Sequence, residues 1–177
     1  MLRSLGMSRI GAATVLGVLT MAINPALGAL GASATISSTP NGANFDYTVK
    51  VTDTGTTPIG TFWFAWTPPD APFEYDFLPS TPSTASQPSG WAGIISAGFP
   101  GTSIEYYNVS GSAIGVGDTG TFHFTTADSP TDLQGTSLGF PITESFIYEG
   151  APEEGAFAEV DPVFTVPEPS SLALAAI

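Results

Sequence analysis

Phe45, Tyr47, Val49 and Val51 alternate with Asp46, Thr48, Lys50 and Thr52. A period of two predicts a strand with one buried face and one wet face. The same beat returns at Thr121–Thr126, where Phe122 and Phe124 alternate with Thr121, His123 and Thr125. Between Ile59 and Trp66 the pattern closes up into Phe62, Trp63, Phe64 and Trp66. Aromatic residues on both faces predict a central strand, or one whose second face a loop covers. Ala34–Ser38, Trp91–Ala97, Ile104–Ser110, Ile142–Tyr148 and Ala156–Thr165 are further short runs of strand character. Turn signals separate them: Thr39-Pro40-Asn41-Gly42, Asp53-Thr54-Gly55-Thr56, Phe99-Pro100-Gly101 and Gly115–Gly120. No long segment repeats at the helical period. The pattern predicts an all-β chain: a single antiparallel β-sandwich of about eight strands, immunoglobulin-like in topology or, second, a jelly roll. Thr67–Ser89 stands apart, with prolines at 68, 69, 72, 79, 82 and 88 and Phe73, Tyr75, Phe77 and Leu78 between them. It is expected to be a long loop pinned to the body by its aromatics, with Ser80–Ser89 its most mobile part.

The ends of the chain read differently from its middle. Arg3 and Arg9 precede an apolar run, Ile10–Ile23, which Asn24-Pro25 breaks. Small residues at Ala32-Ser33-Ala34 then suit signal peptidase, so residues 1–34 are expected to be a secretory signal peptide. Ala26-Leu27-Gly28 is an alternative cut. The apolar run is too short for a retained helix, which needs roughly 20 residues to span a bilayer. Residues 35–165 form the expected sandwich ectodomain and 166–177 a separate tail. A body from Thr35 to Val166 has 166 − 34 = 132 residues, enough for one core without staples. That fits a chain with no cysteine.

The tail begins Val166, Pro167, Glu168, Pro169, Ser170, Ser171 and continues as the apolar Leu172–Ile177. The prolines fix φ near −65° and disfavour helix at the residues before them, so the segment starts as an extended strip that a cleft could bind. These residues resemble the PEP-CTERM sorting signal of exported bacterial proteins. The match covers Val166 to Leu174; the long helix and arginine-rich tail that complete the family's signal are not within these residues. Pro88-Ser89-Gly90-Trp91 and the small-residue turn Gly115–Gly120 before Phe122-His123-Phe124 are similar to strand patterns of PEP-CTERM ectodomains. The resemblance implies handling by an exosortase, a membrane-embedded transpeptidase-like enzyme, with signal peptidase acting at the other end. It further implies a place in an extracellular polysaccharide matrix, with membrane contact only transiently through the terminal segments.

Charge narrows the partners further. Removing the signal removes Arg3 and Arg9, leaving Lys50 against sixteen carboxylates, so 1 − 16 = −15. Nucleic acid is excluded as a partner, because neutralising phosphates takes clustered Lys and Arg. Candidate chemistry is sparse. Asp53-Thr54-Gly55 and Asp118-Thr119-Gly120 repeat the tripeptide of two-lobed aspartic proteases, yet Asp and Gly are also favoured turn residues. His123 is the single histidine, and alternation puts it opposite Phe122 and Phe124 on a wet face. Glu105, Glu144 and Glu149 could supply a glycosidase carboxylate pair. Asp128 and Asp132, and then Glu149, Glu153, Glu154, Glu159 and Asp161, offer oxygen ligands for Ca²⁺, with Glu149, Glu153, Glu154 and Asp161 as weak metal candidates. No other cofactor is expected. Trp63, Trp66 and Trp91, with Tyr106 and Tyr107, could build a glycan-stacking platform, although aromatics in so small a body are mostly core. Asn108-Val109-Ser110 matches a glycosylation sequon. The expectation is an exported, non-enzymatic cell-surface or matrix protein associated with exopolysaccharide or biofilm. A carbohydrate-binding module and a secreted hydrolase are the alternatives.

Overall fold

A computed structural model describes residues 28–68 and 75–165. The alternating segment forms β2 (Asn44–Asp53), which pairs along its whole length with β1 (Ala32–Asn41). Gly42 supplies the positive φ of 63° that the two-residue hairpin loop requires. The expected turn therefore lies later than Thr39-Pro40, and β1 runs through both residues. β3 (Thr61–Phe64), β4 (Trp66–Thr67), β5 (Tyr75–Asp76), β6 (Thr84–Ser86), β7 (Trp91–Ala97), β8 (Thr102–Asn108) and β9 (Thr119–Thr126) follow. A one-turn helix, α1 (Pro130–Leu133), starts on a capping box made by Ser129 and Asp132. β10 (Thr136–Ser137), β11 (Phe140–Pro141), β12 (Ser145–Tyr148), β13 (Phe157–Glu159) and β14 (Val163–Phe164) complete the chain.

Two five-stranded sheets make the sandwich. The first has the order β14-β1-β2-β9-β6 and the second β13-β12-β3-β8-β7. Neighbours are antiparallel except β14, which runs parallel to β1. In an immunoglobulin sandwich the two strands on the far side of the first hairpin are consecutive in the chain. Here β6 and β9 are separated by the β7–β8 hairpin in the opposite sheet. The connectivity is thus not that of an immunoglobulin sandwich.

Aromatic side chains hold the sheets together. Tyr47, Phe122 and Phe124 from the first sheet and Phe62, Phe64 and Tyr106 from the second are all buried. Phe62 meets Phe122 at 5.3 Å, Phe64 meets Phe124 at 5.0 Å, and Tyr106 meets Phe122 at 4.7 Å between centroids. Each such side chain contributes about 1.5–3 kcal/mol by burial, and each ring pair adds about 0.5–1.5 kcal/mol.

β3 is the middle strand of its sheet, as its continuous apolar run predicts. Its phase then shifts. Ala65 takes a positive φ of 59°, so Trp66 falls on the same side as Trp63 instead of turning back to the core. The two indoles stack at 3.8 Å and 4°. With Phe146 and Tyr148 they form a second apolar cluster outside the main core.

Three expectations shift. Ser80–Ser89 is not loop throughout: it contains β6, paired to β9. Ile142 and Thr143 lie in a turn, so the strand expected from Ile142 starts at Ser145. The expected last strand, Ala156–Thr165, is two strands in two sheets, because the chain crosses between them near Pro162, which cannot donate to a ladder.

Candidate functional site

The outer face of the second sheet carries the densest chemistry. Strand register sets one row across it: Glu159, Phe146, Trp63, Glu105 and Ile94. Carboxylates flank the stacked indoles on both sides. Partial burial pushes the Glu105 carboxyl above its ordinary range, and the charge of Glu153 adds to the rise. At the other end, burial raises Glu144 most strongly; Glu159 and Asp161 raise it further, and a hydrogen bond with Thr67 opposes the rise. Asp161 is raised by desolvation and by Glu159, against a hydrogen bond from the Ser145 backbone. Glu105 thus feels the charge of Glu153, and Glu144 and Asp161 that of Glu159.

The candidate metal ligands Glu149, Glu153, Glu154 and Asp161 belong to this region. Among the described residues, no group of three or more His, Cys, Asp or Glu is placed to hold a metal ion. Asp128 is spent elsewhere: it accepts from the Ser80 backbone at 3.0 Å, the Ser80 hydroxyl at 2.6 Å and the Thr126 hydroxyl at 3.1 Å. It thereby pins the Pro-rich segment to the end of β9. Asp132 closes the capping box, and the Ser129 hydroxyl and backbone hold its carboxyl below the ordinary range.

All three tryptophans are buried. Trp63 and Trp66 retain 8% and 1% exposure, and each gives one ring face to the other. Trp91, at 6%, belongs to the main core, edge-on to Phe122, with its indole N–H donating to Ser112 O at 3.1 Å. Tyr106 is buried and donates to the His123 carbonyl at 3.0 Å, while Tyr107 is half-buried. These positions make the three tryptophans packing residues rather than a row of open rings.

Beneath the indole pair lies a chain of hydrogen bonds that the sequence did not disclose. The Trp63 indole N–H donates to the Ser103 hydroxyl at 2.8 Å. Ser103 and Ser96 hydroxyls are 2.7 Å apart, and Ser96 donates to Asp76 at 3.2 Å. Since Ser96 gives its proton to Asp76, Ser103 must be the donor to Ser96. The chain is therefore directional and ends on a buried carboxylate. Its members come from four strands, β3, β5, β7 and β8, so no spacing in the sequence signals it.

The two Asp-Thr-Gly turns do meet. Thr52 pairs with Thr119, and their hydroxyls are 2.8 Å apart. Asp53 N donates to Asp118 O at 3.0 Å and Gly117 N to Asp53 O at 3.0 Å. Yet the contact is made by backbone. The Asp53 carboxylate is buried and accepts from Gly55 N at 2.8 Å, whereas Asp118 is exposed. That is the turn chemistry for which Asp and Gly are favoured. His123 is exposed on the outer face of the first sheet, 3.0 Å from the Thr48 hydroxyl. Asn108 folds its amide back on Gly111, donating to its O at 3.1 Å and accepting from its N at 2.9 Å.

Residues 166–171, the sorting motif, and residues 1–27 lie outside the described residues. No protein-family model matches this chain, and no curated protein matches it.

Proposed function

We propose that this is an exported, non-enzymatic surface or matrix protein, carried out by an N-terminal signal and sorted by the Val166–Ser171 motif. One observation carries the reading: the motif follows directly in the chain on the last described strand, β14 (Val163–Phe164). Thr165 makes the last hydrogen bonds of the described chain, its N–H donating to Ile36 O at 2.8 Å and its hydroxyl to the same oxygen at 3.3 Å. Val166 is the next residue. An exosortase recognising residues 166–171 would meet the motif directly after the last described strand. The proposed role is a rigid acidic domain delivered to the outside and held among polysaccharide, whose negative charge favours solubility.

Expression in a bacterium with an exosortase tests this. The unaltered chain should reach the surface or matrix fraction with its C-terminus shortened, as read by intact mass. A chain with residues 166–171 changed to alanine should keep its C-terminus and leave that fraction. Equal processing and equal distribution of the two would sink the reading.

A further inference from the structure

Among the described residues, β13 is the outermost strand of the second sheet, with β12 on one side and no strand on the other. Glu149 N donates to Ala156 O at 3.2 Å, and Val160 N donates to Ser145 O at 2.8 Å. Ala156, Ala158 and Val160 therefore turn their backbone groups toward β12. By strand alternation, the N–H and C=O of Phe157 and Glu159 point the opposite way. Both residues are exposed, Phe157 at 45%. An edge of this kind is a template on which another strand can form.

Charge decides which strand. Glu159 lies in β13, Asp161 follows it, and Glu144 adjoins Ser145, whose carbonyl accepts from Val160 N. Lys50 is the only Lys or Arg among the described residues, and it projects from the outer face of the opposite sheet. Nothing basic in the described body neutralises the edge. Like charge disfavours a second copy of this chain at β13, which is how edges are commonly protected from self-pairing. The same charge attracts a basic chain.

We propose that the β13 edge, with Phe157, Glu159 and Asp161, docks an extended Lys- or Arg-rich segment of another protein as an added strand. Outward N–H and C=O groups in strand register match a peptide backbone. An amine-bearing glycan could use the charge but not the ladder. This inference goes beyond the surface-matrix reading and does not depend on it.

Calorimetric titration of the full chain with a short peptide of alternating Lys and Val is the test. Binding should appear at low salt and weaken as salt rises. Glu159→Gln should weaken it about three-fold by loss of one partly screened charge. Glu159→Pro should weaken it about ten-fold, because proline also removes an N–H that faces the partner and not β12. Melting curves report whether either variant disturbs the fold. A peptide N-methylated on its ladder-forming amides leaves the protein untouched and should bind at least about five-fold more weakly. Three results would overturn the proposal: no binding of the alternating peptide, unchanged binding of the methylated one, or equal binding of a glucosamine oligomer of matched charge.

Discussion

At the scale of the residue, the most consequential group is Ser103. It is fully buried and stands between the Trp63 indole and the Ser96–Asp76 pair. Removing its hydroxyl leaves a buried N–H without an acceptor and interrupts the chain to the carboxylate. Ser103→Ala should cost about 1–3 kcal/mol in urea unfolding, the usual cost of an orphaned buried group. Trp63→Phe should cost less in the Ser103→Ala background than alone, giving a coupling of about 1 kcal/mol in a double-mutant cycle. Additive effects would mean the indole N–H finds another acceptor and the chain carries no energy. Alternation in the sequence places Phe62 and Phe64 in the core correctly. It could not place Trp66, because the phase shift rests on the positive φ of Ala65, which nothing about alanine announces. It could not find Ser103 either: a small polar residue before an apolar run reads as a loop.

At the scale of the element, the first strand bears on maturation. Ala29 N donates to Thr56 Oγ1 at 2.8 Å, and Ala29 O accepts from Thr56 N at 2.8 Å. Gly31 O accepts from Thr54 N and Gly55 N at 3.0 and 3.1 Å. Leu30 packs on the core, and Ala34 lies in it at 5% exposure. Cleavage after Ala34 would remove three residues of β1 and these contacts, uncovering the end of β2. Cleavage after Gly28 would spare them all. The mature form in the proposed export should therefore begin at Ala29, as read by N-terminal sequencing or intact mass; a start at Thr35 would show that the paired residues 29–34 are dispensable. Small residues suit signal peptidase at either place, so the sequence alone could not choose between the cuts. The pairing of residues 29–34 with the end of β2 and the turn after it, 51 − 34 = 17 or more positions away, is what separates them. Short elements were illegible for a related reason. Thr84-Ala85-Ser86 has no strand signature, and it becomes β6 only because β9 offers a free edge.

At the scale of the whole molecule, the sandwich and the acidity were both legible, but their meeting was not. Register alone brings Glu105 opposite Trp63 and Glu159 opposite Phe146. The consequence is a pH dependence opposite to that of most carboxylate-rich proteins. Glu105, Glu144 and Asp161 have folded-state pKa values raised above their unfolded values. Between the two values the folded state holds more protons than the unfolded chain, so stability falls as pH rises. It is greatest below the ordinary carboxylate range, about pH 4, and is lost as pH climbs through the raised values. Asp46 and Asp132 work the other way. Hydrogen bonds from Thr125 and Asn41 hold the Asp46 carboxyl low, and those from Ser129 hold Asp132 low, so their contributions are present above the ordinary range and lost as pH falls through the lowered values. Both are exposed, and screening keeps the effect small. The melting temperature should therefore rise as pH is lowered from 7 toward about 5, and turn down only in stronger acid. Glu105→Gln supplies the decisive comparison. An amide carries no charge to desolvate and none to repel Glu153, so the variant should melt higher than the parent at pH 7. The gap should narrow toward pH 4, where the parent's own carboxyl is protonated. A gap that stays constant with pH would assign the gain to packing, and a variant that melts lower at pH 7 would show that the Glu105 carboxylate is stabilised by a partner.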